Sequence, residues 1–242
     1  GGCVRDLLVG IHPKDYDIAT NAEPNQIRKR IHGAYVIGKR FRLVLIKRGS
    51  QQFEVATFRR ESRPEDFEDI ELPISGDNFF GTPEQDALRR DFTINALFYD
   101  PVKDELVDFA DGLKDIQART LRMIGDPVVR IIEDPIRSLR AIRLSQKLNF
   151  CIEPSFRAAI QEKAAEVVRS VLPRRREEYL KILRLAEPAR ALLEMYDLGL
   201  VHALMPSLAL IMDEPIRREI LLEYLQREHE FVLDSSLTIE LY

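Results

Sequence analysis

Two aspartates, Asp15 and Asp17, stand one residue apart at the start of the run Tyr16-Asp17-Ile18-Ala19-Thr20. This stretch predicts the start of a short strand, and residues i and i+2 of a strand point to the same face, so the two carboxylates would lie side by side. Neighbouring carboxylates repel each other unless a cation lies between them. Carboxylate oxygens suit Mg²⁺, which proteins usually hold with one or two carboxylates and the phosphates of a substrate. For an Asp-x-Asp pair alone, a solvated loop or a helix cap is the alternative.

A glycine pair, Gly1-Gly2, opens an apparent helix that carries Arg5 upstream of the aspartates. Backbone N–H groups at such a turn, with an arginine beside them, can bind phosphate. The turn and the two aspartates together therefore predict a site for phosphate and metal. Because no strand precedes the glycines, we also expect that an N-terminal piece of the protein is missing from this sequence.

A second group of charged residues begins at Asp134. Arg137, Arg140 and Arg143 recur every three residues, so they share one face of a predicted helix. No acidic residue stands four positions from Arg140 or Arg143, which favours phosphate as the partner of the row. A solvated helix face is the alternative interpretation.

Asp134 and Arg137 could together contact the edge of one nucleobase. A carboxylate accepts a hydrogen bond from an exocyclic amine, and a guanidinium donates to a ring nitrogen. Adenine and cytosine both present an amine beside an acceptor, whereas guanine and uracil present the reverse. The pair would therefore select adenine or cytosine without separating the two. Since Asp134 precedes Pro135, a helix N-cap at Asp134 is the simpler alternative.

Composition describes a globular chain without an overall basic charge. The 242 residues are 45% hydrophobic and 31% charged, with a formal net charge of −4, so a nucleic-acid site would have to be a local basic patch. The length predicts two subdomains. No apolar run approaches the roughly 20 residues of a membrane span. Cys3 and Cys151 are expected to be free thiols in a reducing compartment, which predicts a cytoplasmic protein.

The pattern of the elements predicts an α+β fold, with a small mixed sheet in the first half and only helices from about Lys114 onward. Glu54 lies within a predicted strand and would be a third metal carboxylate if that strand neighbours the aspartates. Otherwise, Glu54 would simply face solvent. The predicted elements are a helix from Pro24, strands 35–46 and 52–58 joined as a hairpin at Gly49-Ser50, a loop over 61–76, a helix from Pro83 after a Thr82 cap, strands 92–99 and 105–109, and a helical apolar stripe of Phe156, Ile160, Ala164, Val167 and Val171.

Four motifs, taken in order, resemble those of one family, the bacterial (class II) poly(A) polymerases and CCA-adding nucleotidyltransferases. The stretch from Gly1 to Asp17 is similar to the family's first motif, and Arg89 to Leu97 is similar to its second. The segment from Glu133 to Arg143 resembles its base-reading motif, and Arg174 to Lys181 resembles a later neck motif. The resemblance therefore covers the chain from Gly1 to about Leu185.

The resemblance implies a nucleotidyltransferase head over residues 1–118, a helical neck over 119–185, and an incomplete helical body over 186–242. It implies that an RNA 3′-hydroxyl attacks the α-phosphorus of a nucleoside triphosphate and that pyrophosphate is released, with Mg²⁺ as the cofactor. The site residues that it implies are the catalytic Asp15, Asp17 and Asp91, the metal ligands Asp15, Asp17 and Glu54, the triphosphate-binding Arg5, Arg90, Arg140 and Arg143, and the further nucleotide-binding Gly1, Gly2, Asp91, Asn95, Asp134 and Arg137.

Within this family, Val36 to Ile46 is similar to the segment typical of the poly(A) polymerases. We therefore expect the transfer of AMP from ATP to RNA 3′ ends, with ATP and RNA as partners and no membrane. The first alternative is a CCA-adding enzyme that acts on tRNA. A binding module with a degenerate nucleotide site is a second alternative. A third, in which these charges are only surface, would require nearby partners for Asp15, Asp17 and the arginine row, and we expect none.

Overall fold

The computed structural model describes residues 1–38, 43–49, 51–61 and 79–235. The chain divides into two units, Gly1–Gln117 and Ala118–Tyr242. The described part of the first unit contains helices and strands together, whereas that of the second is almost entirely helical, which confirms the predicted α+β class. The expectation of only helices from about Lys114 onward is wrong at one place, where two strands of two residues each, Thr120–Leu121 and Cys151–Ile152, pair in parallel. In the part of the chain that is described, no helix is long and apolar enough to span a membrane.

The first unit contains a four-stranded sheet, a two-stranded sheet and four short helices among its described residues. Its elements are α1 (Gly2–Leu8), β1 (Asp17–Thr20), α2 (Pro24–Arg30), β2 (Ala34–Ile37), β3 (Leu43–Arg48), β4 (Gln51–Thr57), α3 (Pro83–Leu88), a 3₁₀ turn (Thr93–Asn95), β5 (Leu97–Asp100), β6 (Glu105–Asp108) and α4 (Gly112–Gln117).

The larger sheet has the strand order β1-β4-β3-β2, in which β1 and β4 are parallel and the other pairs are antiparallel. The hairpin of β3 and β4 is confirmed. The prediction of one strand over 35–46 is wrong, because β2 and β3 are separate strands that pair with each other. Gly38 follows β2 with a φ of 87°, a conformation that favours glycine and ends the strand. Residues 39–42 lie outside the described part of the chain.

One face of the larger sheet forms a hydrophobic core together with α2. The buried members of this core are Ile27, Ala34, Val44, Ile46 and Val55. Because side chains alternate along a strand, the intervening residues point to the opposite face. That opposite face therefore carries Leu45 and Glu54 from the two central strands.

Capping residues determine where α2 and α3 begin. Each helix has proline in its first turn and a capping box, formed by Glu23 with Gln26 and by Thr82 with Gln85. Both predicted helix starts are confirmed. The predicted loop over 61–76 lies outside the described residues from position 62 onward.

The predicted strand over 92–99 is wrong in its first half, which forms the 3₁₀ turn before β5 begins at Leu97. The Thr93 hydroxyl donates to the Asp115 carboxylate at 2.7 Å, and both side chains are buried. A Cβ atom at Gly112 would lie 2.4 Å from the Thr93 carbonyl oxygen. Only glycine allows this approach, so Gly112 and Asp115 together hold the turn in place. The predicted strand over 105–109 is confirmed as β6.

The second unit packs around helix α6 (Ile136–Leu148), whose Leu139 and Ile142 are fully buried. The predicted stripe is buried from Phe156 to Val167, but Val171 is 60% exposed, because a 3₁₀ helix (Ala164–Arg169) follows α7 (Pro154–Glu162) and changes the helical period. The elements of this unit are β7 (Thr120–Leu121), α5 (Pro127–Glu133), α6 (Ile136–Leu148), β8 (Cys151–Ile152), α7 (Pro154–Glu162), α8 (Leu172–Leu183), α9 (Pro188–Asp197), α10 (Leu200–Leu204), α11 (Pro206–Met212) and α12 (Pro215–Ser235).

Candidate active site

The carboxylates of Asp17 and Glu54 belong to neighbouring strands. Asp17 opens β1 and is the register partner of Glu54 in the parallel strand β4, and both residues are exposed. Register partners point to the same face of a sheet, so the two carboxylates lie next to each other. The strand of Glu54 therefore lies beside the strand of Asp17, as a role for Glu54 as a third metal carboxylate requires. Asp15 is also exposed, but it precedes β1 by two residues, since the ladder begins only at Asp17.

Helix α1 begins as predicted at the glycine pair, with Gly1 as its N-cap. Its Arg5 is buried, and the Arg5 Nε donates to Asp6 Oδ1 at 2.8 Å. The Arg5 Nη1 donates to Asn95 Oδ1, across 90 residues of sequence. The Arg5 guanidinium is therefore held inside the first unit by a carboxylate and an amide.

Asn95 connects the first and second sequence motifs. Its amide oxygen accepts from Arg5, and its amide nitrogen donates to Asp91 Oδ1 at 3.0 Å. The same Asp91 oxygen accepts the Phe92 N–H at 2.9 Å. The Asn95 backbone carbonyl accepts from Arg90 Nη1 at 3.0 Å. Asn95 thus orients two arginines and one carboxylate of the predicted site at once.

Sequence reasoning missed Asp86, a buried carboxylate on α3 that holds Arg90. Its Oδ2 accepts from Arg90 Nη2 at 2.9 Å and Nε at 3.2 Å, and its Oδ1 accepts the Arg59 backbone N–H at 3.1 Å. The Arg90 guanidinium also lies 4.8 Å from the centroid of the Phe98 ring. The i, i+4 spacing of Asp86 and Arg90 is the signal that could have indicated this pair.

In the helical unit, Asp134 does not cap α6. It is the C-cap residue of α5, and its carboxylate accepts from Arg174 Nη1 at 2.9 Å and Nη2 at 2.8 Å. The prediction of an N-cap at Asp134 is wrong because the helix that starts there uses Pro135 as its N-cap, without a side-chain cap. Hydrogen bonding to Asp134 raises the pKa of Arg174 above its ordinary value.

The arginine row on α6 has acidic partners, contrary to the prediction. Arg143 Nε donates to the buried Glu178 of α8 at 2.6 Å. Arg137 Nη1 donates to the Arg130 carbonyl at 2.6 Å and to Glu133 at 3.1 Å. The prediction failed because the partner of Arg143 lies 35 residues away in sequence, beyond the spacing that one helix can reveal.

A comparison with protein families gives the decisive observation. A family model described as the poly A polymerase head domain matches residues 1–122, half of the chain. The chain belongs to the poly(A) polymerase family. A second model, described as a probable RNA- and SrmB-binding site of polymerase A, matches residues 149–212. The resemblance drawn from the four motifs is therefore confirmed.

Individual members of the poly(A) polymerase family and their relatives are similar over most of this chain. Poly(A) polymerase I of Haemophilus influenzae is 43% identical over 216 residues, which are 86% of this chain and 48% of that protein. A CCA-adding enzyme of Bacillus licheniformis is 34% identical over 204 residues, 84% of this chain and 50% of that protein. The chain thus spans about half the length of the curated relatives it matches.

A solved relative of the poly(A) polymerase family has a similar fold. The Thermotoga maritima CCA-adding enzyme complexed with tRNA matches with a TM-score of 0.75 at 28% identity, covering 99% of this chain and 54% of that one. In the described part of our chain, no group of three or more His, Cys, Asp or Glu side chains could hold a metal ion by itself. A cation bound by Asp17 and Glu54 would therefore need further ligands that such side chains do not supply.

Proposed function

We propose that the protein is a template-independent RNA nucleotidyltransferase that transfers AMP from ATP to RNA 3′ ends and releases pyrophosphate. The observation that carries this proposal is the exposed pair of carboxylates, Asp17 and Glu54, on adjacent parallel strands of a family head domain. Polyadenylation is favoured over CCA addition because identity is higher to the named poly(A) polymerase than to the named CCA-adding enzyme. The free thiols of Cys3 and Cys151 support a cytoplasmic location.

We propose that Asp15, Asp17 and Glu54 bind Mg²⁺ together with the phosphates of ATP, because among the described residues no three such side chains form a group that could hold a metal ion by itself. All three are exposed carboxylates, and Mg²⁺ usually takes one or two carboxylates and completes its shell with water and substrate phosphates. This preference fits a site in which few protein ligands converge. When bound, Mg²⁺ would activate the attacking 3′-hydroxyl and neutralise charge on the leaving pyrophosphate.

The remaining residues of the head would bind and orient ATP. Arg90, held by Asp86 and by the Asn95 carbonyl, has a fixed guanidinium that can stabilise a triphosphate without reorganising. Arg5 would add positive charge beside the N–H groups of Gly1 and Gly2. Asp91 and Asn95 would lie near the ribose.

The helical unit would contribute base recognition and further positive charge. Arg137 is held by Glu133 and by the Arg130 carbonyl, and Asp134 is held by Arg174, so both groups are oriented before a nucleotide binds. Each carboxylate oxygen has two lone pairs, so Asp134 can accept from a nucleobase amine while it remains bonded to Arg174. Arg140 and Arg143 would bind phosphate.

One gel tests the proposed function. The full-length protein is incubated with a single RNA primer and with each nucleoside triphosphate in turn, then with all four. We expect long extension with ATP alone. A product that stops after C, C and A would instead identify a CCA-adding enzyme. No extension with any nucleotide would refute the nucleotidyltransferase activity itself.

Replacing Arg137 by alanine should relax the choice of nucleotide. Loss of a charged hydrogen-bond donor costs roughly 10-fold to 100-fold in discrimination, so we expect UTP and GTP incorporation to rise relative to ATP by about that factor. The kcat/KM for each nucleotide is measured with a fixed primer. Arg217→Ala, which removes an exposed arginine of α12, is the matched control. An unchanged nucleotide profile would contradict base reading by Arg137.

Replacing Asp86 by asparagine should weaken ATP binding, because Arg90 loses its ionic partner and its fixed orientation. We expect the KM for ATP to rise about 10-fold, with the KM for the RNA primer unchanged. Asp86→Glu should restore part of the loss, since it keeps the charge. Glu84→Gln, on the exposed side of the same helix, is the control. A folded Asp86→Asn protein with the wild-type KM for ATP would contradict the role of Asp86 in orienting Arg90.

A further inference from the structure

Four residues form one row across the larger sheet, on the face opposite to the one that packs against α2. Asp17 is in register with Glu54, Glu54 with Leu45, and Leu45 with Tyr35. Register partners on neighbouring strands point to the same side, so all four side chains project from one face. Tyr35 therefore stands on the same face as the proposed metal ligands, at the far end of the row.

The exposure of these strands supports the same assignment of faces. Ala34 is buried and Val36 packs against the core beneath the sheet, whereas Tyr35, which lies between them, is 57% exposed. Ile37, two residues further on the same side, is 40% exposed. An aromatic ring this exposed on an open sheet is available to a planar ligand.

A positive charge accompanies the ring. Lys47 is exposed, and it lies on this face because it is two residues from Leu45 on β3. Its register partner, Gln52, is two residues from Glu54 on β4, which places the lysine on a diagonal to the carboxylate. The face thus combines an aromatic ring, a cation and the carboxylates in a continuous strip.

We propose that this strip binds the 3′-terminal segment of the single-stranded RNA primer, with a base stacked on Tyr35 and a phosphate at Lys47. The proposal rests on the proposed function, since it describes how the same site holds its RNA. Three strand spacings separate Tyr35 from Asp17, about 14 Å. At a stacked rise of 3.4 Å this is roughly four nucleotides, and fewer if the strand is extended. The stacked base would therefore lie only a few positions upstream of the reacting hydroxyl.

Single-stranded RNA fits this strip better than another protein does. The strip carries the charged Asp17, Glu54 and Lys47 beside its apolar residues, whereas a protein-binding site would require a larger continuous apolar patch. Stacking on aromatic rings beside a cation is the usual way in which proteins bind single strands without reading their sequence. A tail of growing length, added to many different RNA ends, requires that kind of tolerance.

Fluorescence tests the stacking directly, because the chain contains no tryptophan. Tyr35→Trp introduces a single indole on the strip, and Tyr99→Trp introduces one at another exposed tyrosine of the same unit. Titration with oligo(A) in the absence of ATP should quench the emission of Tyr35→Trp and leave that of Tyr99→Trp unchanged. If labelled oligo(A) binds, as judged by its anisotropy, while Tyr35→Trp emission stays constant, the proposal is overturned.

Steady-state kinetics provide a second test of the proposed RNA-binding strip. Tyr35→Ala should raise the KM for the RNA primer between about 5-fold and 100-fold and leave the KM for ATP unchanged. Tyr35→Phe should restore the wild-type value, because the ring and not the hydroxyl does the stacking, and Tyr99→Ala should have no effect. Failure of the wild type to incorporate any nucleotide would refute the proposed function. An active Tyr35→Ala variant with the wild-type primer KM would refute only the role of the strip.

Discussion

The Asp17→Ala variant is expected to lose AMP incorporation by at least about 10³-fold, because the loss of a metal carboxylate removes stabilisation of the charge that develops in the transition state. The fold should survive, since the Asp17 side chain is exposed and β1 pairs with β4 through its backbone. The measurement is single-turnover incorporation with saturating primer and ATP. The thermal unfolding midpoint, measured on the same samples, should change by no more than a few degrees.

Glu105 provides a matched control for this substitution. It is also an exposed acidic residue at the first position of a strand, β6, so Glu105→Ala removes an equivalent charge away from the proposed site. We expect this variant to have wild-type activity. Appreciable incorporation by Asp17→Ala, or an equal loss in Glu105→Ala, would remove the basis for assigning the metal to this strand.

The second large effect is expected in stability. Arg143→Ala should lower the free energy of unfolding by about 2–4 kcal/mol, because it leaves the Glu178 carboxylate buried without its closest partner. The range lies below that of a fully buried pair, since the Arg143 side chain is 21% exposed and Lys181 lies 3.5 Å from the same carboxylate. Urea unfolding without nucleotide isolates this effect from any loss of triphosphate binding.

Arg217→Ala serves as the comparison, because Arg217 forms an exposed ion pair with Glu214 on the solvent side of the helical unit. Such pairs contribute roughly 0–1 kcal/mol, so its unfolding curve should nearly overlay that of the wild type. If Arg143→Ala is as stable as Arg217→Ala, the ion pair to Glu178 does not support the fold.

Local sequence signals predicted those parts of the fold that depend on neighbouring residues. The capping residues Glu23 and Thr82 marked two helix starts, and Gly49 marked the hairpin of β3 and β4. The strand that begins at Asp17 was visible from its own side-chain pattern. The prediction of one strand over 35–46 failed because the positive φ of Gly38, which follows β2, could not be recognised among the apolar and β-branched residues around it.

Partners that are distant in sequence could not be predicted in this way. Arg174 reaches Asp134 from 40 residues away, and Glu178 reaches Arg143 from 35 residues away, so counting along one helix could reveal neither partner. The link from Arg5 to Asn95 is longer still. Asp86 is different, because its spacing to Arg90 could be read from the sequence, whereas its burial could not.

Parallel pairing of β1 with β4 also determines when the proposed metal site can arise during translation. Asp17 is synthesised 37 residues before Glu54, and β4, which carries Glu54, lies between β1 and β3 in the sheet. A nascent chain that ends within the first two strands therefore carries the aspartates without the acidic neighbour. Affinity for a divalent ion should thus emerge only after the fourth strand of the sheet has cleared the exit tunnel.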